Sequence, residues 1–137
     1  MNLYILDACA LIAVLAREKG SDIIRNLFQK TIEQQAVLIM NKFNFLEVYY
    51  IIYRTYGKAE ADKLADTIKQ MPIIIREILT DALLKEAGRL KAEYKISIAD
   101  SIAIAETIIN KGTLVTSDHY EMDPVEKGEK INITWFR

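Results

Sequence analysis

Four carboxylates occupy positions in this sequence where a carboxylate without a partner would be costly. They are Asp7 at the end of NLYILD, Glu47 in NFLE, Asp100 in the otherwise apolar segment 95–108 (KISIADSIAIAETI), and Asp118 at the end of TLVTSD. If these side chains converge with no lysine or histidine among them, they repel one another and raise each other's pKa values. A hard divalent cation relieves that repulsion, and ligation by oxygen alone favours Mg²⁺ or Mn²⁺ over Zn²⁺.

Helix capping is the alternative role for some of these acids. Asn44 and Glu47, like Ser97 and Asp100, have the spacing of an N-cap residue followed three residues later by an acid. An acid in a first helical turn also gains about 0.3–1 kcal/mol from the helix dipole. Asp7 lies between two apolar runs, where it has no obvious capping role. Capping therefore stays open for Glu47 and Asp100, and metal binding is favoured for Asp7.

The elements that must position these acids alternate between strand-like and helix-like patterns. Short apolar or β-rich runs predict five strands, and stripes at i, i+3/i+4 spacing predict the helices between them. The predicted strands are NLYILD, 36–40, 72–77, 113–118 and 131–136, and the predicted helices follow the first strand and cover 21–33, 44–57, 58–70, 79–94 and 98–111. This order predicts an α/β fold, a three-layer α/β/α sandwich with a mostly parallel sheet of about five strands.

In a parallel sheet the carboxyl ends of the strands share one edge, where ligands of open α/β folds bind. Asp7 and Asp118 end predicted strands, and the helix that carries Glu47 follows its strand directly. The helix that carries Asp100 follows another helix, so topology alone leaves its position open.

Bulk composition indicates one compact domain spanning residues 1–137, because 51% of the residues are hydrophobic. The net charge of −1 excludes a protein that coats nucleic acid by bulk electrostatics. No apolar run reaches the roughly 18 residues that span a bilayer, and the N-terminal run lacks the basic region of a signal peptide. We interpret the polar stretch 118–132 as an ordered surface excursion, with a turn at Asp123–Pro124.

Cysteine and histidine usage narrows the chemistry further. Cys9 is the only cysteine, so an intrachain disulfide is impossible and a cytoplasmic location is expected. His119 is the only histidine, which argues against a zinc site rich in histidine.

Four segments, LDACALIA, NFLEVYY, ISIADSIAIA and LVTSDHYEMD, resemble in order and spacing the acidic motifs of PIN-domain ribonucleases. They are most similar to the compact VapC-type toxins of toxin–antitoxin pairs, and the likeness extends from Asn2 to Arg137. Each motif is short and weak alone, whereas four in the correct order over this length are specific. The resemblance implies the same α/β/α sandwich and places the start of the Asp100 helix at the active edge.

Residue by residue, the resemblance implies a metal-binding quartet of Asp7, Glu47, Asp100 and Asp118. Thr116 matches a hydroxyl residue that supports the last acid. Cys9 departs from the Ser or Thr that is common two residues after the first acid. Because a thiol is a weaker hydrogen-bond partner than a hydroxyl, polar support for the first acid is expected to be reduced.

The function that the resemblance implies is endonucleolytic cleavage of RNA, by attack of activated water at a site holding one or two Mg²⁺ or Mn²⁺ ions. Relatives of this size commonly form homodimers and are inhibited by a small antitoxin. His119 is predicted either to support the site or to be an exposed loop residue, and Asp123 to lie at its periphery. Cations that could bind phosphate are Lys42, Arg54, Lys95 and Lys111.

Other functions fit the sequence less well. A haloacid-dehalogenase-like phosphatase requires a second Asp where Cys9 stands, and a response-regulator receiver requires adjacent acids near the first strand. A catalytically silent binding module on the same fold usually lacks one of the acids. An RNA-processing nuclease outside a toxin–antitoxin pair stays open.

Overall fold

The computed structural model describes residues 2–137, and within them five strands and seven α-helices form one α/β unit. The strands are β1 (Asn2–Leu6), β2 (Ala36–Asn41), β3 (Ile74–Arg76), β4 (Thr113–Thr116) and β5 (Asn132–Trp135). The helices are α1 (Ala8–Leu15), α2 (Ser21–Ile32), α3 (Lys42–Tyr56), α4 (Lys58–Thr67), α5 (Asp81–Glu93), α6 (Ile98–Ile109) and α7 (His119–Glu129), and a short 3-10 helix (Ile68–Gln70) follows α4.

The sheet is parallel throughout, in the order β3-β2-β1-β4-β5. Strand β1 is central and pairs with both β2 and β4, so that Ile5 lies opposite Ile39 on one side and Leu114 on the other. The carboxyl ends of β1, β2 and β4 therefore lie side by side, which is the arrangement that the strand-ending acids require.

Two apolar cores separate the layers on either side of the sheet. Alternate strand residues face opposite sides, so Leu6 packs with α1–α4 and Ile5 packs with α5–α7. Strands buried on both faces read as continuous apolar runs rather than alternating ones. The predicted α/β/α sandwich with five strands is confirmed.

Two local predictions are wrong. Strand β3 covers three residues instead of 72–77, and Pro72 precedes it. The stretch 118–132, expected to be a surface excursion, contains helix α7, and the expected turn at Asp123–Pro124 lies inside that helix. The helix forms because Met122 and Val125, which are both fully buried, anchor it to the core. This burial offsets the backbone hydrogen bond that Pro124 cannot donate.

Within residues 2–137, no helix combines the length and the apolar character needed to cross a membrane.

Candidate active site

Asp7 lies at the β1–α1 junction, directly after the central strand. It is the N-cap of α1, and its Oδ1 accepts hydrogen bonds from the backbone N–H of Ala10 and from the thiol of Cys9, both at 3.0 Å. The expectation that Asp7 has no obvious capping role is therefore wrong, because α1 begins at the very next residue. The cap alone does not explain the position, since the Asp7 carboxylate is only 2% exposed.

Burial raises the pKa of the Asp7 carboxyl above its ordinary value, and the charge of Asp118 adds to the rise, while Cys9, Thr116 and the amide of Ala10 oppose it. The Cys9 thiol is half-buried, and burial together with the charge of Asp7 raises its pKa to about 12. Cys9 thus stays protonated and donates to Asp7. The reduced polar support expected from a thiol is a weak hydrogen bond rather than a missing one.

Asp118 lies at the neighbouring β4–α7 junction and is also an N-cap. Its Oδ1 accepts from the backbone N–H of Glu121 at 3.1 Å, and its own N–H donates to the Oγ1 of Thr116 at 3.1 Å. Thr116 is fully buried and also lies 3.5 Å from the sulfur of Cys9. The Thr116 hydroxyl therefore connects the two junctions.

The β2–α3 junction has no loop. Asn41, the last residue of β2, is also the N-cap of α3, and its Oδ1 accepts from the N–H of Phe43 at 2.9 Å. The predicted cap at Asn44 is therefore wrong by three residues, because the strand leads directly into the helix. Glu47 lies beyond the first turn of α3, which removes the capping explanation for its carboxylate.

Glu47 is half-buried, and its surroundings are acidic. Burial raises its pKa, and the charges of Asp7, Glu121 and Asp118 raise it further, in that order. Three acids from two other junctions thus act on the Glu47 carboxylate.

Asp100 lies in the first turn of α6, whose N-cap is Ser97 as predicted. The hydroxyl of Ser97 accepts from the N–H of Asp100 at 3.0 Å, and the Asp100 side chain is 9% exposed. Asn44 fixes this helix to α3, because its side-chain amide donates to the carbonyl of Ala99 at 2.9 Å. The Oδ1 of Asn44 is buried and has no hydrogen-bond partner among the described residues.

The α6, β4 and α7 segments bring three carboxylates together. One oxygen each from Asp100, Asp118 and Glu121 lies within 4.8 Å of the other two. The oxygens of Asp7 and Glu47 lie outside this group. They are close enough that the charge of Asp118 raises the pKa of Asp7, and the charges of Glu121 and Asp118 raise the pKa of Glu47. The start of α6 is therefore at the carboxyl edge, which topology alone had left open.

Glu121 is absent from the sequence prediction. The signal was present, because Asp118 and Glu121 have the spacing of an N-cap and an acid in the first turn. It was missed because the segment was interpreted as a surface excursion instead of a helix.

His119 and Asp123 contact each other, and His119 also contacts the C-terminal segment. The His119 ring stacks on Trp135 with centroids 3.8 Å apart, its Nδ1 lies 3.2 Å from Asp123, and its Nε2 lies 3.0 Å from the carbonyl oxygen of Arg137. Hydrogen bonding to the Arg137 carbonyl and to Asp123 raises the pKa of His119. His119 begins helix α7 rather than lying in a loop, and its contacts connect that helix to the C-terminal segment.

Comparisons with known proteins agree with this architecture. The family model described as the PIN domain matches residues 4–124. No curated protein matches the chain.

Solved structures share the fold at low sequence identity. The VapBC2 complex of Rickettsia felis bound to a promoter DNA fragment aligns with a TM-score of 0.72 and 16% identity, over 96% of this chain and 97% of that chain. The DNA-bound VapBC complex of Salmonella typhimurium aligns with a TM-score of 0.73 and 11% identity, over all of both chains. VapC20 of Mycobacterium tuberculosis, a toxin that cleaves the sarcin–ricin loop, aligns with a TM-score of 0.57 and 16% identity, over 81% of this chain and 86% of that chain.

Proposed function

The chain belongs to the PIN domain family, and on that premise we propose that it is an endoribonuclease dependent on Mg²⁺ or Mn²⁺. The observation that carries the proposal is the group of three carboxylates at the carboxyl edge of the sheet, with Asp7 and Glu47 beside it. Residues 1–137 act as one nuclease domain in this proposal.

The donor set fits a hard divalent cation. All five acids offer oxygen, and the pKa of Glu47 is raised first by burial and then by the charges of Asp7, Glu121 and Asp118. Asp7, Glu47, Asp100 and Asp118 would hold the ion as predicted, and Glu121 joins them because its oxygen lies within the same group. When bound, the ion would supply positive charge for the phosphodiester and would acidify water at the site.

The residues of the chain orient these carboxylates before any ion arrives. Backbone and thiol hydrogen bonds fix Asp7, and the first turn of α7 fixes Asp118. Because these bonds come from rigid elements, the carboxylates keep their relative positions without cost when the ion binds.

RNA is the proposed substrate, and a small antitoxin is the proposed inhibitory partner. The antitoxin follows from the likeness to VapBC complexes, and an apolar groove of about 350 Å³ between α1, α3 and α4 offers a surface on which such a partner can dock. Leu46, Tyr50 and Tyr53 expose apolar area along α3, which supports a homodimer. An RNA-processing nuclease without an antitoxin would have the same site.

Cleavage of a panel of transfer RNAs and ribosomal RNA fragments tests the proposal, with Mg²⁺, Mn²⁺ or EDTA present. We expect endonucleolytic products with either metal, no products in EDTA, and a loss of at least about a hundredfold for Asp100→Asn. Asp66→Asn is the matched control, because it makes the same chemical change on the exposed face of α4 and should cleave like wild type. Equal cleavage by Asp100→Asn and wild type, or products in EDTA, would refute the proposal.

A further inference from the structure

An open polar cleft adjoins the three carboxylates on the side of α5 and α6. Its volume is about 730 Å³, and residues 91–97 and Glu121 line it. Glu121 belongs both to this cleft and to the group of carboxylates, and Ser97 caps the helix that carries Asp100. The cleft and the group of carboxylates therefore meet at Glu121.

Apart from Glu121, which belongs to the group of carboxylates, the charged side chains of the cleft that lack an ion-pair partner are positive. Lys91 and Lys95 are exposed, and neither forms an ion pair with any residue in 2–137. Glu93, the other acid of the cleft, accepts from Arg89 at 2.7 Å. Two free ammonium groups next to a set of carboxylates form a surface suited to an anion that continues away from a metal site.

The segment 91–95, which carries the two lysines, is fixed to α7. Tyr94 donates to the carboxylate of Glu129 at 2.7 Å, and Arg89 donates to the same carboxylate at 2.7 Å. Gly128 allows this approach, because a Cβ at that position would lie 2.1 Å from the hydroxyl of Tyr94. The two lysines therefore lie on a segment that is held against α7, the helix that also carries Glu121.

The other cations predicted to bind phosphate are less suitable. Lys42 pairs with Glu77 at 3.2 Å, and the guanidinium of Arg54 lies 4.9 Å from the ring centroid of Tyr50. Lys111 lines a separate cavity with Lys130 near the start of β4, at the opposite edge of the sheet. Of the four predicted cations, only Lys95 lines the cleft.

We propose, on the basis of the nuclease function above, that this cleft is a subsite for RNA backbone flanking the cleaved bond, in which Lys91 and Lys95 bind phosphates. Lysine contacts of this kind position the chain and carry no base specificity. They contribute through counterion release, so each contact adds about 0.7 to the slope of log affinity against log salt for a single strand.

Fluorescence anisotropy with a labelled 20-nucleotide RNA of mixed sequence tests the subsite, with Ca²⁺ replacing Mg²⁺ to slow cleavage. We expect Lys91→Gln/Lys95→Gln to raise Kd about tenfold at 50 mM KCl and to reduce the salt slope by about 1.4. Lys111→Gln/Lys130→Gln is the matched control, because it removes the same charge from the cavity at the opposite edge and should leave both values near wild type.

Equal losses in the two double variants would overturn the subsite, because they would reduce the effect to net charge. Unchanged RNA binding in Lys91→Gln/Lys95→Gln would also overturn the subsite, even if the same variant no longer binds an antitoxin. Cleavage is scored separately on the RNA panel. If binding depends on the lysines but wild type cleaves nothing, the nuclease proposal fails, and the cleft binds RNA backbone without flanking a cleaved bond. If wild type cleaves RNA and the lysine substitutions leave RNA binding unchanged, the nuclease proposal stands and the subsite fails.

Discussion

The β1–α1 and β4–α7 junctions have the same design and different surroundings. In each, an Asp follows a strand, caps a helix and accepts a backbone N–H from three residues further on. Asp7 is nearly inaccessible and its pKa is raised by burial, whereas Asp118 is half-buried and lies beside the exposed start of α7. The same capping hydrogen bond thus forms at a buried carboxylate and at a half-buried one, and burial is the main cause of the raised pKa of Asp7.

The largest effect is expected with Mn²⁺ present, where substitutions at the two junctions should have the same effect. Wild type should gain about 2.7 kcal/mol in the free energy of unfolding at a Mn²⁺ concentration a hundredfold above Kd. Asp7→Asn and Asp118→Asn should both lose most of that gain, because each removes a charged ligand from one site. Thermal unfolding across a Mn²⁺ titration measures it, and Asp66→Asn should keep the full gain. A loss confined to one of the two variants would separate the junctions into independent sites.

A smaller effect, of opposite sign, is expected in EDTA, where the difference between the Asp7 and Asp118 junctions should be clearest. Asp7→Asn should raise the free energy of unfolding at pH 7 by about 1–2 kcal/mol, or ~3–6 °C in Tm, because Asn keeps the N-cap and removes a buried charge. Asp118→Asn should stay within about 0.5 kcal/mol of wild type.

The difference between Asp7→Asn and wild type should depend on pH. Because the folded-state pKa of Asp7 is raised above its ordinary value of 3.8, the folded protein binds this proton more tightly than the unfolded chain does. The stability from that proton is complete below pH 3.8 and is lost as pH rises through the folded pKa. Urea unfolding between pH 3.5 and 7 should show the advantage of Asp7→Asn growing with pH, and a constant advantage would contradict the burial argument.

The smallest effect concerns the thiol that distinguishes the Asp7 junction. Cys9→Ser should stabilise the metal-free protein at pH 7 by about 0.5 kcal/mol, because a hydroxyl donates more strongly to the Asp7 carboxylate than a thiol does. Cys9→Ala should destabilise it by a similar amount, since Asp7 then loses that donor. Urea unfolding in EDTA measures both variants, and equal stabilities would mean that the contact of Cys9 with Asp7 has no energetic weight.

The sequence was sufficient for the sheet and for the edge at which the acids gather. Apolar runs separated by helical stripes determine a parallel sheet, and Asp7 and Asp118 end strands, so their shared edge follows from topology. Ser97 was also predicted correctly, because a serine three residues before an acid is a local signal that no distant contact overrides.

The errors arose where distant contacts decide the local structure. Helix α7 is buried only at Met122 and Val125, and their contacts with the core stabilise it as a helix despite Pro124. The N-cap of α3 was misassigned because nothing in the sequence shows that β2 leads into α3 without a loop. The burial of Asp7 depends on two neighbouring strands, and this contrast with Asp118 is not visible in the local sequence.

The central position of β1 has a consequence for the order in which the protein becomes active. One of the two partners of β1 in the sheet is β4, which lies more than a hundred residues later in the sequence. The acids that gather at the carboxyl end of β1 are spread along the sequence from Asp7 to Glu121. A nascent chain still on the ribosome carries Asp7 and Glu47 long before their counterparts exist. The group of carboxylates is therefore incomplete during synthesis until Glu121 has been added and α7 has folded against the sheet.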